Sequence, residues 1–206
     1  MRRWLLMHFW HYDIAKNASI GFSWVYPQSL TMKEGARIGS LTVAKGLETI
    51  AMGPFSRIGN LNWITGFPLR DKRHFAHCQH RAPQLVLKEH AALTNRHLID
   101  CTDTVMIGAF ATVAGFRSQI LTHSIDLEAC RQDCKPVSIG DYCFVGTACV
   151  VLGGAILPDH SILAAASLLN KPLINTYRLY GGVPVREIGE VAQGMAYFSR
   201  ETGFIY

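Results

Sequence analysis

A six-residue period constrains this chain more than any other feature. From residue 137 it reads Val-Ser-Ile-Gly-Asp-Tyr, Cys-Phe-Val-Gly-Thr-Ala, Cys-Val-Val-Leu-Gly-Gly, Ala-Ile-Leu-Pro-Asp-His, Ser-Ile-Leu-Ala-Ala-Ala, Ser-Leu-Leu-Asn-Lys-Pro. The third place of each hexad holds Ile139, Val145, Val151, Leu157, Leu163 and Leu169, all branched aliphatics. Two residues earlier stand Val137, Cys143, Cys149, Ala155, Ser161 and Ser167, all small or modest. Six matches neither the 3.6 period of a helix nor a lone alternating strand. It is three alternations, so a short strand can point both places inward and then turn.

The same register recurs upstream in Ala18-Ser-Ile-Gly21, Ala36-Arg-Ile-Gly39, Ser56-Arg-Ile-Gly59, Val105-Met-Ile-Gly108 and Ala111-Thr-Val-Ala114. The pattern predicts a solenoid of short parallel strands, three hexads per coil, around an aliphatic column. A sandwich or barrel with coincidental spacing is the competing reading. Glycines 21, 39, 59, 108, 140 and 146 follow an inward aliphatic, and the expectation is that the coil turns tightly there. At 206 residues the chain is one domain. It divides into N-terminal coils 18–66, a basic loop 67–84, main coils 85–170 with a loop 115–136, and a tail 171–206.

Charge narrows the partners. Twenty Lys and Arg against fifteen Asp and Glu leave +5, which suits an acidic partner such as a nucleotide-bearing cofactor. Basic residues are dispersed and no nucleic-acid module is present, so a nucleic-acid partner is not expected. The start, Met-Arg-Arg-Trp-Leu-Leu-Met-His, is too short and too interrupted for a signal peptide, but admits peripheral contact with a membrane surface. Six cysteines without a C-x-x-C pair read as reduced thiols of a cytoplasmic protein.

Solenoids carry their chemistry where the repeat breaks. The first break holds Arg70, Lys72, Arg73, His74, His77, Cys78, His80 and Arg81; its His/Cys spacing matches no standard zinc set, so no metal is expected. The second holds His123, Asp126 and Arg131 among apolar residues that argue for order.

The hexads, the Asn170-Lys-Pro closure and Gly182-Val-Pro-Val-Arg186 resemble the hexapeptide-repeat acyltransferases, closest to sugar O-acetyltransferases. The resemblance implies an all-β, left-handed parallel β-helix with an extruded loop, trimeric assembly, and acetyl-CoA as donor to a sugar or glycan acceptor. The Thr-His-x-x-Asp stretch is similar to the family's catalytic segment, which makes His123 the general base. A neutral imidazole suits proton removal from a hydroxyl near pH 7. Asp126 either orients that ring or caps its loop. Asn95 matches a family asparagine that contacts the acceptor, or is a turn residue. Thr147, Ala165, Asn170, Lys171 and Arg186 match donor-binding positions, with the last two cations placed for phosphates. This chain departs from the family in Ala164-Ala-Ala166, where Gly-Ala-Gly is usual, and in Asn170, where Thr is usual.

Two alternatives stand beside this reading. A zinc lyase on the same solenoid needs converging histidines, yet Ser118 stands where a paired histidine would precede His123. A non-catalytic assembly solenoid would not need His123, Lys171 and Arg186 together. The aromatic tail after Pro184 is expected to cap the last coil.

Overall fold

The computed structural model describes residues 7–8, 10–71 and 73–205. Lys72 and most of the basic, apolar start lie outside the described residues. The chain winds into a parallel β-helix of triangular section. Its first sheet stacks Asp13–Ile14, Ser29–Met32, Thr49–Met52, Gln84–Leu87, Val105–Ile107, Val137–Ile139 and Ile156–Leu157. The second stacks Ser19–Ile20, Arg37–Ile38, Arg57–Ile58, Ala92–Leu93, Thr112–Val113, Phe144–Val145, Ile162–Leu163 and Arg178–Gly181. The third stacks Trp24–Tyr26, Val43–Lys45, Trp63–Thr65, Leu98–Asp100, Gln119–Leu121, Val150–Leu152 and Leu168–Leu169. We call the corner between the first and second sheets the first edge, the next corner the second edge, and the return to the first sheet the third edge.

The hexad places do what their spacing predicts. All six aliphatics from Ile139 to Leu169 and all six small partners from Val137 to Ser167 are buried. Burial of each aliphatic contributes about 1.5–3 kcal/mol, so the column holds the coils together. Hexad glycines serve a different end from the one expected. None of those six has a positive φ; the left-handed turns fall on other glycines, such as Gly35 and Gly46, and on non-glycines such as Leu41, Phe55 and Tyr142. A Cβ on Gly108 would instead lie 2.4 Å from the carbonyl carbon of Gly140 in the next coil. Glycine is there for close coil-to-coil approach.

Coil length is eighteen residues where Ser19 pairs Arg37 and Phe144 pairs Ile162, and twenty where Arg37 pairs Arg57. Regular winding starts earlier and lasts longer than the sequence suggests. Asp13–Ile14 already pairs with Thr31 and Met32, and Arg178–Gly181 still continues the second sheet. The second excursion is shorter than 115–136, because Gln119–Leu121 is a regular rung paired on both sides.

The tail caps the last coil with one strand and then leaves it. Arg186–Glu190 closes that end by pairing antiparallel with Arg178–Gly181. The chain then runs back along the first edge. There Phe55, His90, Phe110, Tyr142, His160 and Tyr177, each with φ between 52° and 57°, stack with ring centroids 4.7–5.2 Å apart. Phe198 sits edge-on to His160 and Tyr177, Arg200 lies over Phe110 and Tyr142, and the Gly203 N–H donates to Nδ1 of His90. The apolar faces of the ladder recruit the tail's aromatics away from the already paired end.

Candidate active site

Both excursions leave the third edge, separated by one unbroken corner at residues 101–104. The first spans the gap between Trp63–Thr65 and Gln84–Leu87. Buried Arg81 ties it down, donating to the carbonyls of Phe67 (2.6 Å), Pro68 (2.8 Å) and Thr102 (3.2 Å) while lying over the Phe75 ring. A fully charged guanidinium is tolerated there because three carbonyls replace its water. The second excursion is an antiparallel hairpin, His123–Asp126 against Arg131–Cys134.

His123 opens that hairpin. Its Nδ1 lies 2.8 Å from Oδ2 of Asp100, one coil below. Asp100 is buried, and its carboxylate is saturated with donors. Oδ2 also accepts the Thr122 N–H (3.0 Å), the Thr122 hydroxyl (2.7 Å) and the His123 N–H (3.0 Å), and Oδ1 accepts the Thr102 hydroxyl (2.7 Å). Burial pushes the Asp100 pKa up, but the hydrogen bonds from His123, Thr102 and Thr122 outweigh it and leave it below the usual carboxylate value. The hydrogen bond His123 donates to Asp100 raises its pKa above the ordinary 6.5, against partial desolvation. Phe67 and Phe75 stand edge-on to the imidazole at 5.5 and 6.2 Å. Nε2, the nitrogen away from Asp100, takes no hydrogen bond among the described residues.

Asp100 is the partner that sequence reasoning missed. Of the two readings of Asp126, the structure favours the cap: its Oδ1 accepts the N–H groups of Glu128 and Ala129 at the hairpin turn, and Oδ2 faces Arg131 at 3.6 Å. The available signal was a carboxylate at a rung place held in the other coils by Tyr26, Lys45, Thr65, Leu121 and Leu152. Asn95 lies on the second edge, away from His123. Its Oδ1 accepts the N–H of Asn60, whose own Oδ1 accepts the N–H of Ser40, so the two form a ladder of turn asparagines. His97 is the contrasting histidine. It is buried, hydrogen-bonded to Thr94 and to the Ser118 N–H, and burial pushes its pKa down to about 4.

The residues matched to donor binding divide between two edges. Thr147 and Ala165 sit on the second edge, where the Thr147 hydroxyl donates to the carbonyl of Phe116 (2.8 Å). Asn170 and Lys171 sit on the third edge, the edge of His123, two coils further on. At about 4.8 Å per coil that is about 10 Å along the axis. Lys171 and Arg186 line one open cavity of about 370 Å³ with Asn175, Tyr180 and Glu187. Neither cation forms an ion pair among the described residues.

This architecture is a left-handed parallel β-helix, the fold it shares with a solved hexapeptide-repeat acetyltransferase. No protein-family model matches the chain, and no curated protein does. Solved structures do. The polysialic acid O-acetyltransferase OatWY aligns over 92% of this chain and 90% of its own, with TM-score 0.67 and 15% identity. A mutant of AntD, an N-acyltransferase from Bacillus cereus in complex with dTDP and coenzyme A, aligns over 88% of this chain and 85% of its own, with TM-score 0.56 and 14% identity. A hexapeptide-repeat acetyltransferase from Vibrio cholerae O1 biovar eltor, complexed with acetyl coenzyme A, aligns over 69% of this chain and 71% of its own, with TM-score 0.55 and 21% identity.

Proposed function

We propose that this protein is an acetyl-CoA-dependent acetyltransferase that acylates a sugar hydroxyl, with His123 as general base. The observation that carries the reading is the His123–Asp100 pair at 2.8 Å, placed where the hairpin leaves the third edge. Asp100 fixes the ring with its proton on Nδ1, leaving the Nε2 lone pair for the acceptor. Nε2 takes the hydroxyl proton as the sugar oxygen attacks the thioester carbonyl. Collapse of the tetrahedral adduct breaks the C–S bond, and the imidazolium returns the proton to the departing thiolate. Asp100 stabilises the imidazolium in between. The Phe67 and Phe75 walls limit water around the ring, which strengthens that electrostatic support. No covalent acyl-enzyme is needed. Cys143 and Cys149 are buried in the column, and burial pushes the Cys143 thiol up to about 12.

The neighbours named above are acyltransferases, two of them in complex with acetyl coenzyme A or coenzyme A, which supports the donor. Lys171 and Arg186 are the residues we assign to its phosphates. Division of the donor-matching residues between two edges supports a homotrimer in which one subunit's second edge meets a neighbour's third. The sheet between those edges, the third, exposes Trp24, Trp63 and Leu98 in its early coils, a face suited to such packing. We place the protein in the cytoplasm, where acetyl-CoA is available.

The test is release of free thiol from acetyl-CoA with a panel of glycans, and with amino sugars as a second arm. Transfer to hydroxyl acceptors supports the proposal, and transfer confined to amines overturns the O-acetylation. No turnover and no acetyl-CoA binding would remove the enzyme reading.

A further inference from the structure

A second cluster of reactive side chains lies beside the His123 pair, where the two excursions meet. The first loop contributes adjacent His77 and Cys78. The hairpin, fifty-five residues beyond Cys78, contributes Asp133. The Cys78 Sγ lies 3.4 Å from Oδ1 of Asp133, and the His77 Nε2 lies 3.7 Å from the same oxygen. One ligand atom from each of the three falls within 4.8 Å of the others. Cys134, next along the hairpin strand, lies outside that 4.8 Å triad but faces the same cavity, and burial together with the neighbouring Cys78 thiol pushes its pKa up to about 12. All four line one open cavity of about 520 Å³, which gives an ion an entry path.

We propose that His77, Cys78, Asp133 and Cys134 form a structural zinc site that clamps the first loop to the hairpin. The donor set is one imidazole nitrogen, two sulfurs and one carboxylate oxygen. Zinc accepts all three donor types and a four-coordinate tetrahedral shell, whereas calcium and magnesium select oxygen-only sets. Binding releases the two thiol protons to solvent and leaves imidazole neutral and carboxylate ionised. Loop spacing alone could not disclose the site, because His77 and Cys78 supply only half of it. The zinc has no part in the acyl transfer proposed above. Its effect is to hold the two segments that flank His123: Cys134 is the cross-strand partner of His123 in the hairpin.

Measuring metal on the full chain, prepared without a histidine tag and dialysed against metal-free buffer containing a reductant, tests this independently of catalysis. The proposal expects about one zinc per chain by mass spectrometry. After exchange for cobalt it expects the tetrahedral visible bands and a thiolate charge-transfer band. Cys78→Ser and Asp133→Asn should each retain less than about a tenth of the metal with unchanged circular dichroism. A wild-type chain that holds no stoichiometric zinc after incubation with zinc sulfate would overturn the proposal. So would full retention in both variants, or isolation of Cys78 and Cys134 as a disulfide in a zinc-free chain.

Discussion

Along the first edge, six rings stack through six coils and the tail lies over them, with the Gly203 N–H tied to His90 and Arg200 over Phe110 and Tyr142. Along the third edge, equivalent turns are twice replaced by excursions, and charged side chains, Arg81 and Asp100, are buried beneath them. The two edges belong to the same coils and share one aliphatic column. One edge is built from stacking and polar closure; the other carries a histidine, a carboxylate and open cavities. The column runs through every coil, so one edge can be interrupted by excursions while another is stitched closed.

That contrast breaks down if removing a third-edge residue unfolds the protein, or if removing a first-edge residue stops catalysis. The largest effect expected is from His123→Ala, which should lower the acetyl-transfer rate by about a hundredfold to ten-thousandfold. Circular dichroism of that variant should match the wild type. Phe110→Ala should do the reverse. It removes a buried ladder ring and should cost about 3 kcal/mol in denaturant unfolding, with turnover per folded molecule kept.

The winding was legible in the sequence because the inward places recur at a fixed interval and carry their own chemistry. Ile139 through Leu169 can be read off without knowing any contact. Asp100 was not legible as the partner of His123. Its role depends on Gln119–Leu121 being a regular rung over Leu98–Asp100, whereas the sequence pattern places residues 119–121 inside the excursion 115–136. On the first edge the obstacle is different: coil spacing jumps to thirty-five residues between Arg57 and Ala92 and to thirty-two between Thr112 and Phe144. Register cannot be counted through such insertions. The same jumps scatter Phe55, His90 and Phe110 in the chain and hid the ladder, and with it the path of the tail. Asp126, three residues from His123, reads equally as a partner for the ring or a cap for its loop, and its carboxylate is taken by the N–H groups of its own turn.

Smaller effects sharpen the division of the donor residues. Lys171→Ala should raise the KM for acetyl-CoA by about tenfold with little change in kcat, and the wild-type KM should rise with salt. Equal KM values for the two proteins would remove the phosphate assignment. Asn95→Ala should lower stability by about 1 kcal/mol by removing the acceptor for the Asn60 N–H, without changing the acceptor KM. A large KM change there would return Asn95 to the acceptor site.

The pH dependence of kcat/KM for acetyl transfer, in wild type and Asp100→Asn, tests the His123–Asp100 pair most directly. The base works only when neutral, so activity must rise with pH through the His123 pKa. Asp100 raises that pKa above 6.5, so the wild-type acidic limb should have its midpoint above 6.5. In Asp100→Asn the carboxylate's support is gone; the midpoint should move to lower pH and the plateau should fall. An acidic limb that stays in place when Asp100 is changed, at undiminished plateau, would contradict the assignment of Asp100 and His123 as the catalytic pair.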